Sequence, residues 1–199
     1  MPSNRTDAQQ AEPRAGVPWP DDAGAVLLPL ARFAIAERLG IRAEEPLHAG
    51  WLDEHGASFV TLHTRGRLRG CIGTISAYRS IADDVRSNAR HAAFLDPRFS
   101  AVTAGEYAAL DLEVSLLSPP EPLACRSDDE LLSQLRPGID GVLLEAGDRR
   151  GTFLPQVWDQ LPDPRDFLTH LKAKARLDRQ PWGPDWTVSR YTVTSWSER

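Results

Sequence analysis

The residues best suited to chemistry lie in the stretch GRLRGCIGTI, residues 66–75. Cys71 is one of only two cysteines in 199 residues, and it stands between Gly70 and Gly73, two positions after Arg69. The stretch reads as a β-strand, and on a strand residues two apart share a face. Arg67, Arg69 and Cys71 are therefore expected to point together, with Leu68 and Ile72 turned the other way into a core. A guanidinium close to a thiol favours the thiolate, which is the nucleophilic form. Glycines within a strand mark a bulge or bend, or let a ligand or second backbone come close. The N–H groups from Gly70 to Thr74 are a candidate anion hole.

Other candidates are sparser. Glu113, in ALDLEVSLL, lies on the polar side of an alternating segment and is the candidate general base or partner of Arg69. Arg69 is also a candidate for bidentate anion binding. Of the 23 lysine and arginine residues only Lys172 and Lys174 are lysines, which makes Lys174 a candidate for a role that needs a compact ammonium. Each has a structural alternative. A free cysteine packs as a small hydrophobe. Glu113 fits a solvated face, and Arg69 a surface position in an arginine-biased chain.

Partners for the thiol are constrained by the hairpin ASFVTLHTRGRLRGCIGTI, which turns at Arg65-Gly66. A two-residue loop sets Cys71 opposite Val60, and a three-residue loop sets it opposite Phe59. His63 is then three or four residues away, about 10–13 Å at strand rise. A Cys–His pair within this hairpin is not expected on that register, and a base is expected from another element.

The elements that must carry these residues are legible along the chain. Residues 1–20 are polar, aperiodic and rich in Pro, Gln and Ala, and are expected to form a disordered tail before a single domain at 21–199. Residues 21–40 read as a helix ending at Gly40, with Pro29 marking a kink or the true start. SIADDVRSNARHAAFL is a helix capped by Ser80 and stopped by Asp96-Pro97. Leu110, Leu112, Val114 and Leu116 alternate with polar residues in a half-buried strand that ends at Pro119-Pro120. Ser127 and Glu130 form a capping box. GIDGVLLEAGDRRGTFLP is a second hairpin, turning near Gly147-Asp148. Asp163 caps a helix with Pro164 at its first position, and WTVSRYTVTSW closes the chain as one strand. Two hairpin-then-helix units hint at duplication. Strands arranged as hairpins imply an α+β fold with largely antiparallel sheets.

Composition excludes several classes. Net charge is −5, so nucleic acid exerts no general pull, and RNA binding is disfavoured. There is no CxxC or CxxxH spacing for zinc, and no cofactor is called for. The N-terminus has no apolar h-region and no run of apolar residues reaches membrane-spanning length, so the expectation is a cytoplasmic protein with no membrane partner.

Five segments together carry a resemblance: LRGCIGT (68–74), DPRF (96–99), LEVSLLSPPEPL (112–123), GIDGVLLE with GTFLPQVW (138–158), and FLTHLKAKARL (167–177). In this order they resemble the AMME-syndrome candidate-region protein family, protein A of the AmmeMemoRadiSam system, over about residues 22–197. The resemblance implies a two-lobed α+β fold with a cleft near the glycine-flanked cysteine. It also implies association with a Memo-like protein and a radical-SAM protein, and it strengthens Cys71 as a site residue. It carries over no activity. Two departures stand out: Lys172 occupies the position of a family cysteine, and Arg176 that of a family glycine. Two functions remain open: a cysteine-dependent enzyme acting on a small or protein-borne substrate, and a non-catalytic module that binds a ligand or a protein.

Overall fold

A computed structural model describes residues 19–178, 180 and 182–198. The expected tail lies outside the described residues except for Trp19 and Pro20. Trp19 is buried, its ring centroid 6.4 Å from that of Trp51, so a residue before the expected boundary at Asp21 belongs to the packed core.

The first lobe is built from α1 (Gly24–Leu39), β1 (Ala57–Thr64), β2 (Arg67–Gly73), α2 (Ile81–Phe94) and β3 (Leu110–Leu117). α1 ends where Gly40 takes φ +69°, which lets the Ile41 N–H return to the Ala36 carbonyl. Pro29 neither starts nor breaks this helix. It is exposed, so the carbonyl it leaves free faces water rather than core. α2 begins as expected, with Ser80 Oγ accepting from the Asp83 N–H. Val60, Leu62, Leu112, Val114 and Leu116 form one face of the sheet, buried beneath both helices.

The second lobe contains β4 (Glu121–Leu123), α3 (Asp128–Leu132), β5 (Gly141–Ala146), β6 (Arg149–Phe153), α4 (Pro164–Lys174) and β7 (Trp186–Tyr191). Its core is aromatic: Trp158 lies flat on Phe167, with centroids 3.7 Å apart. Asp163 caps α4 through the N–H groups of Arg165 and Asp166.

Both units run helix–strand–strand–helix–strand, and with a last strand β8 (Val193–Ser197) both sheets are antiparallel, in the orders β2-β1-β3-β8 and β6-β5-β7-β4. The duplication hinted at by the two hairpins is therefore present in the topology. Each unit also donates its next strand to the other. The chain leaves β3 through Pro119-Pro120 to pair as β4 with β7, and leaves β7 at Thr192 to pair as β8 with β3. The expected single closing strand is thus two strands in two sheets. The crossing points are tied together: the Ser118 N–H donates to the Thr192 carbonyl at 2.9 Å, and the Thr192 N–H to Ser118 Oγ at 3.0 Å. Ala57, Leu117 and Tyr191, with Phe59, Leu143, Leu154 and Val193, form a small apolar cluster that joins the lobes.

Candidate functional site

The first hairpin turns in two residues, with Arg65 and Gly66 both at positive φ. On that loop alone Cys71 would stand opposite Val60. A β-bulge intervenes: His63 pairs with Leu68 but Leu62 pairs with Gly70, leaving Arg69 as the extra residue. Every later position shifts by one. Cys71 faces Thr61, and Ile72 faces the buried Val60.

This bulge decides which side chains meet. Ile72 packs on the core as expected, whereas Leu68 lies on the opposite face beside His63 and is 42% exposed. Arg69 does not share the cysteine's face in the expected way. Its Nε donates to Glu106 at 3.0 Å and its Nη1 to the Ser100 carbonyl at 2.8 Å, on the side of the sheet beyond α2. That pairing, with bonds from Thr103, holds the Glu106 carboxyl down at about 2. The thiol instead accepts a hydrogen bond from the Thr61 hydroxyl, at 3.3 Å.

The glycines answer to packing. A Cβ on Gly70 would strike the Ala92 carbonyl oxygen of α2. One on Gly73 would strike the Phe59 ring and the Ser58 carbonyl. Two of the N–H groups expected in the anion hole are taken. The Cys71 N–H donates to Asp96 Oδ2 at 2.9 Å, and the Thr74 N–H to the Ser58 carbonyl. The Thr74 hydroxyl is engaged by Asp84, a fully buried carboxylate that also accepts from Ser58, Arg79 and Asn88. Lys174 stands over the Phe153 ring, 5.0 Å from its centroid, and does not line the cysteine's cleft.

The DPRF segment does more than turn. Asp96 and Arg98 pair at 2.7 Å, which holds the Asp96 carboxyl well below the usual carboxylate range. Arg98 also donates to the Cys71 carbonyl at 3.1 Å. Together they take up the outward N–H and C=O of an edge strand at the cysteine, groups that would otherwise be open to pairing.

Cys71 is half-buried in a cleft of about 410 Å³ between the outer face of the first sheet and the segment 154–160 of the second lobe. Glu113 lies on the same face, because Thr61 pairs with Cys71 on one side and Glu113 on the other. Their Cα atoms are two strand spacings apart, about 9.5 Å. His63, set aside on the unbulged register, comes into the cleft diagonal to Cys71, at about 7–8 Å. Gln156 and Gln160 enter from the second lobe. Sequence reasoning missed His63 because the bulge is silent in composition. It missed Gln160 because that residue meets the cleft only through tertiary packing. Among the described residues no group of three or more His, Cys, Asp or Glu is arranged to hold a metal ion.

A family model described as AMMECR1 matches residues 28–196. The chain belongs to the AMMECR1 family. A protein of Methanothermobacter thermautotrophicus is 39% identical over 165 residues, covering 80% of this chain and 85% of that one. A Thermofilum pendens protein is 38% identical over 173 residues, covering 80% and 81%. The solved structure of the uncharacterized protein PH0010 from Pyrococcus horikoshii superimposes with a TM-score of 0.74 at 33% identity, covering 90% of this chain and 93% of that one. The two-lobed α+β architecture is thus shared by this AMMECR1 protein and a solved relative. Among the described residues no helix is long and apolar enough to cross a membrane.

The two departures from the family pattern lie outside the cleft. Lys172 pairs with Asp128 at 3.0 Å. Arg176 takes φ +60° just past α4, where the Leu177 N–H closes on the Lys172 carbonyl.

Proposed function

We propose that the interlobe cleft is the functional site and that Cys71 acts there as a nucleophile on a small or protein-borne substrate. The observation that carries this reading is the convergence of a half-buried thiol, an imidazole and a carboxylate on one concave face. Among the described residues no protein group hydrogen-bonds to the side chain of His63 or Glu113, so both are available to move protons during attack by the thiol. Thr61 fixes the sulfur, and the Asp96–Arg98 clasp fixes the backbone that carries it. The Memo-like and radical-SAM proteins suggested by the resemblance are the proposed associates.

The test is the rate of Cys71 alkylation by iodoacetamide, followed by mass spectrometry, with a search for adducts carried by the purified protein. The expected outcome is stoichiometric modification, slowed by Glu113→Gln or His63→Ala and unaffected by Arg69→Ala. A rate no faster than that of an ordinary exposed thiol, with no dependence on either group, sinks the reading.

A second reading is a non-catalytic module that holds a ligand or a partner's tail. It draws support from the commitment of both nearby guanidinium groups elsewhere, Arg69 to Glu106 and Arg98 to Asp96. Partner capture and cellular function both surviving Cys71→Ser would favour it.

A further inference from the structure

The charge of the cleft is one-sided. Among the described residues no lysine or arginine lines it, and Glu113 is the only acidic side chain that does. A smaller cavity of about 180 Å³ shares His63 and Glu113 with it and adds Asp111 and Glu198, again with no lysine or arginine among the described residues of its lining. Glu113 stands at the seam of the two.

Glu113 also differs from five other carboxylates of this arginine-rich chain, each of which is held by a guanidinium. Asp84 meets Arg79, Asp96 meets Arg98, Glu106 meets Arg69, Asp140 meets Arg136, and Glu198 meets Arg32. Glu113 has no such cation among the described residues. A carboxylate partly withdrawn from water is stabilised by a cation or by hydrogen-bond donors. An anionic ligand would bring a second negative charge beside it with no described lysine or arginine to offset the repulsion.

The rest of the lining specifies the remainder of the ligand. Phe59, Leu154, Val157 and Val193 make an apolar wall, and the amides of Gln156 and Gln160 stand opposite Glu113's sheet with no partner among the described residues. The amide oxygens accept hydrogen bonds from a nitrogen donor. A cleft of this size suits a small molecule.

We infer that the cleft takes a cationic amine with an apolar body, its ammonium group against Glu113 and its hydrocarbon against Phe59, Leu154, Val157 and Val193. This names the ligand class of the site proposed above and rests on that reading only for the cleft being functional. It reverses the anion preference that Arg69 implied on sequence alone.

The experiment measures binding of three matched probes, benzylamine, benzyl alcohol and phenylacetate, to the Cys71→Ser protein by amide-shift NMR. Removing the thiol separates this outcome from that of the nucleophile test. Benzylamine is expected to bind in roughly the millimolar range typical of fragment-sized ligands. Its shifts should centre on residues around Glu113 and Gln156, and phenylacetate should bind at least about tenfold more weakly. Glu113→Gln should bring benzylamine down to the level of benzyl alcohol, and Glu113→Asp should keep part of the preference. Phenylacetate binding as tightly as benzylamine would overturn the inference. So would benzylamine binding that Glu113→Gln leaves intact, or no saturable benzylamine binding at all.

Discussion

The two lobes are built to one plan and finished differently. Each has a glycine on the second hairpin strand beneath the C-terminal turn of the following helix: Gly70 under Ala92, and Gly151 under Leu171 and Ala175. In register terms Thr152 stands opposite Leu143 as Cys71 stands opposite Thr61, and Tyr191 opposite Gly141 as Ser115 opposite Phe59. In the second lobe Tyr191 covers its glycine, and its hydroxyl meets Thr152 Oγ1 at 2.8 Å. That face is closed and becomes part of the joint between the lobes. In the first lobe the tyrosine's counterpart is only Ser115, which pairs with Ser195, and the space left over is the cleft. One plan thus yields a packed face and an open one through the size of a single side chain and what lies opposite it.

The sharpest way to break the comparison is at Asp84. This carboxylate ties β1, the end of β2 and α2 together through Ser58, Thr74, Arg79 and Asn88. Asp84→Ala leaves a guanidinium and several donors without their acceptor, and is expected to cost about 3–5 kcal/mol. Urea unfolding reads this, with the hydrogen-exchange loss concentrated in the first lobe.

The glycine pair tests the shared plan directly. Gly70→Ala drives a methyl into a backbone carbonyl, which cannot yield without moving α2, and about 3 kcal/mol or more is expected. Gly151→Ala meets the Ala175 methyl and nitrogen at 2.9 Å and the Leu171 carbonyl at 3.1 Å, and about 1–2 kcal/mol is expected. Equal midpoints for the two variants would deny that the first lobe is the tighter of the pair.

The lobes should also differ in pH response. Asp96 and Glu106, both in the first lobe, have lowered folded-state values. Their contribution is present above the ordinary carboxylate range and is lost as pH falls, for Glu106 between about 4.5 and about 2. Tyr191 is pushed up to about 12 by burial. It disfavours ionisation in the folded state, so stability falls as pH rises from 10 towards about 12. Acid should therefore loosen the first lobe and alkali the joint at Tyr191, as read by site-resolved hydrogen exchange.

The smallest effect is at Arg176. Its left-handed backbone suits glycine, and Arg176→Gly is expected to stabilise the protein by about 1 kcal/mol without touching the cleft. A raised urea midpoint with an unchanged Cys71 alkylation rate is the expected result.

Much of this was open to reading from residue order. Ser80, Ser127 and Asp163 cap helices where their types and the following residues indicate, and both hairpins turn at the expected dipeptides. Leu110 to Val114 alternate as a strand with one buried face should, and the pattern breaks at Ser115, which the second face buries against Ser195. These features are local: a cap, a turn or a period is set by neighbours a few positions away. Arg69 and His63 were misplaced for a different reason. A bulge adds one residue to a strand, and nothing in RLRGC marks Arg69 rather than a neighbour as the extra one. The side chain of Arg69 then settles on Glu106, 37 positions away.

By itself, then, the chain's order of residues determined most of the elements, their caps and turns, and the antiparallel class. Tertiary structure alone decided that β4 and β8 trade sheets, that the bulge brings Cys71, His63 and Glu113 to one face, and that this face stays open. The physical reason is range. Caps, turns and periodicity are fixed within a few residues, whereas register, strand exchange and cavities are fixed by which distant surfaces exclude water together.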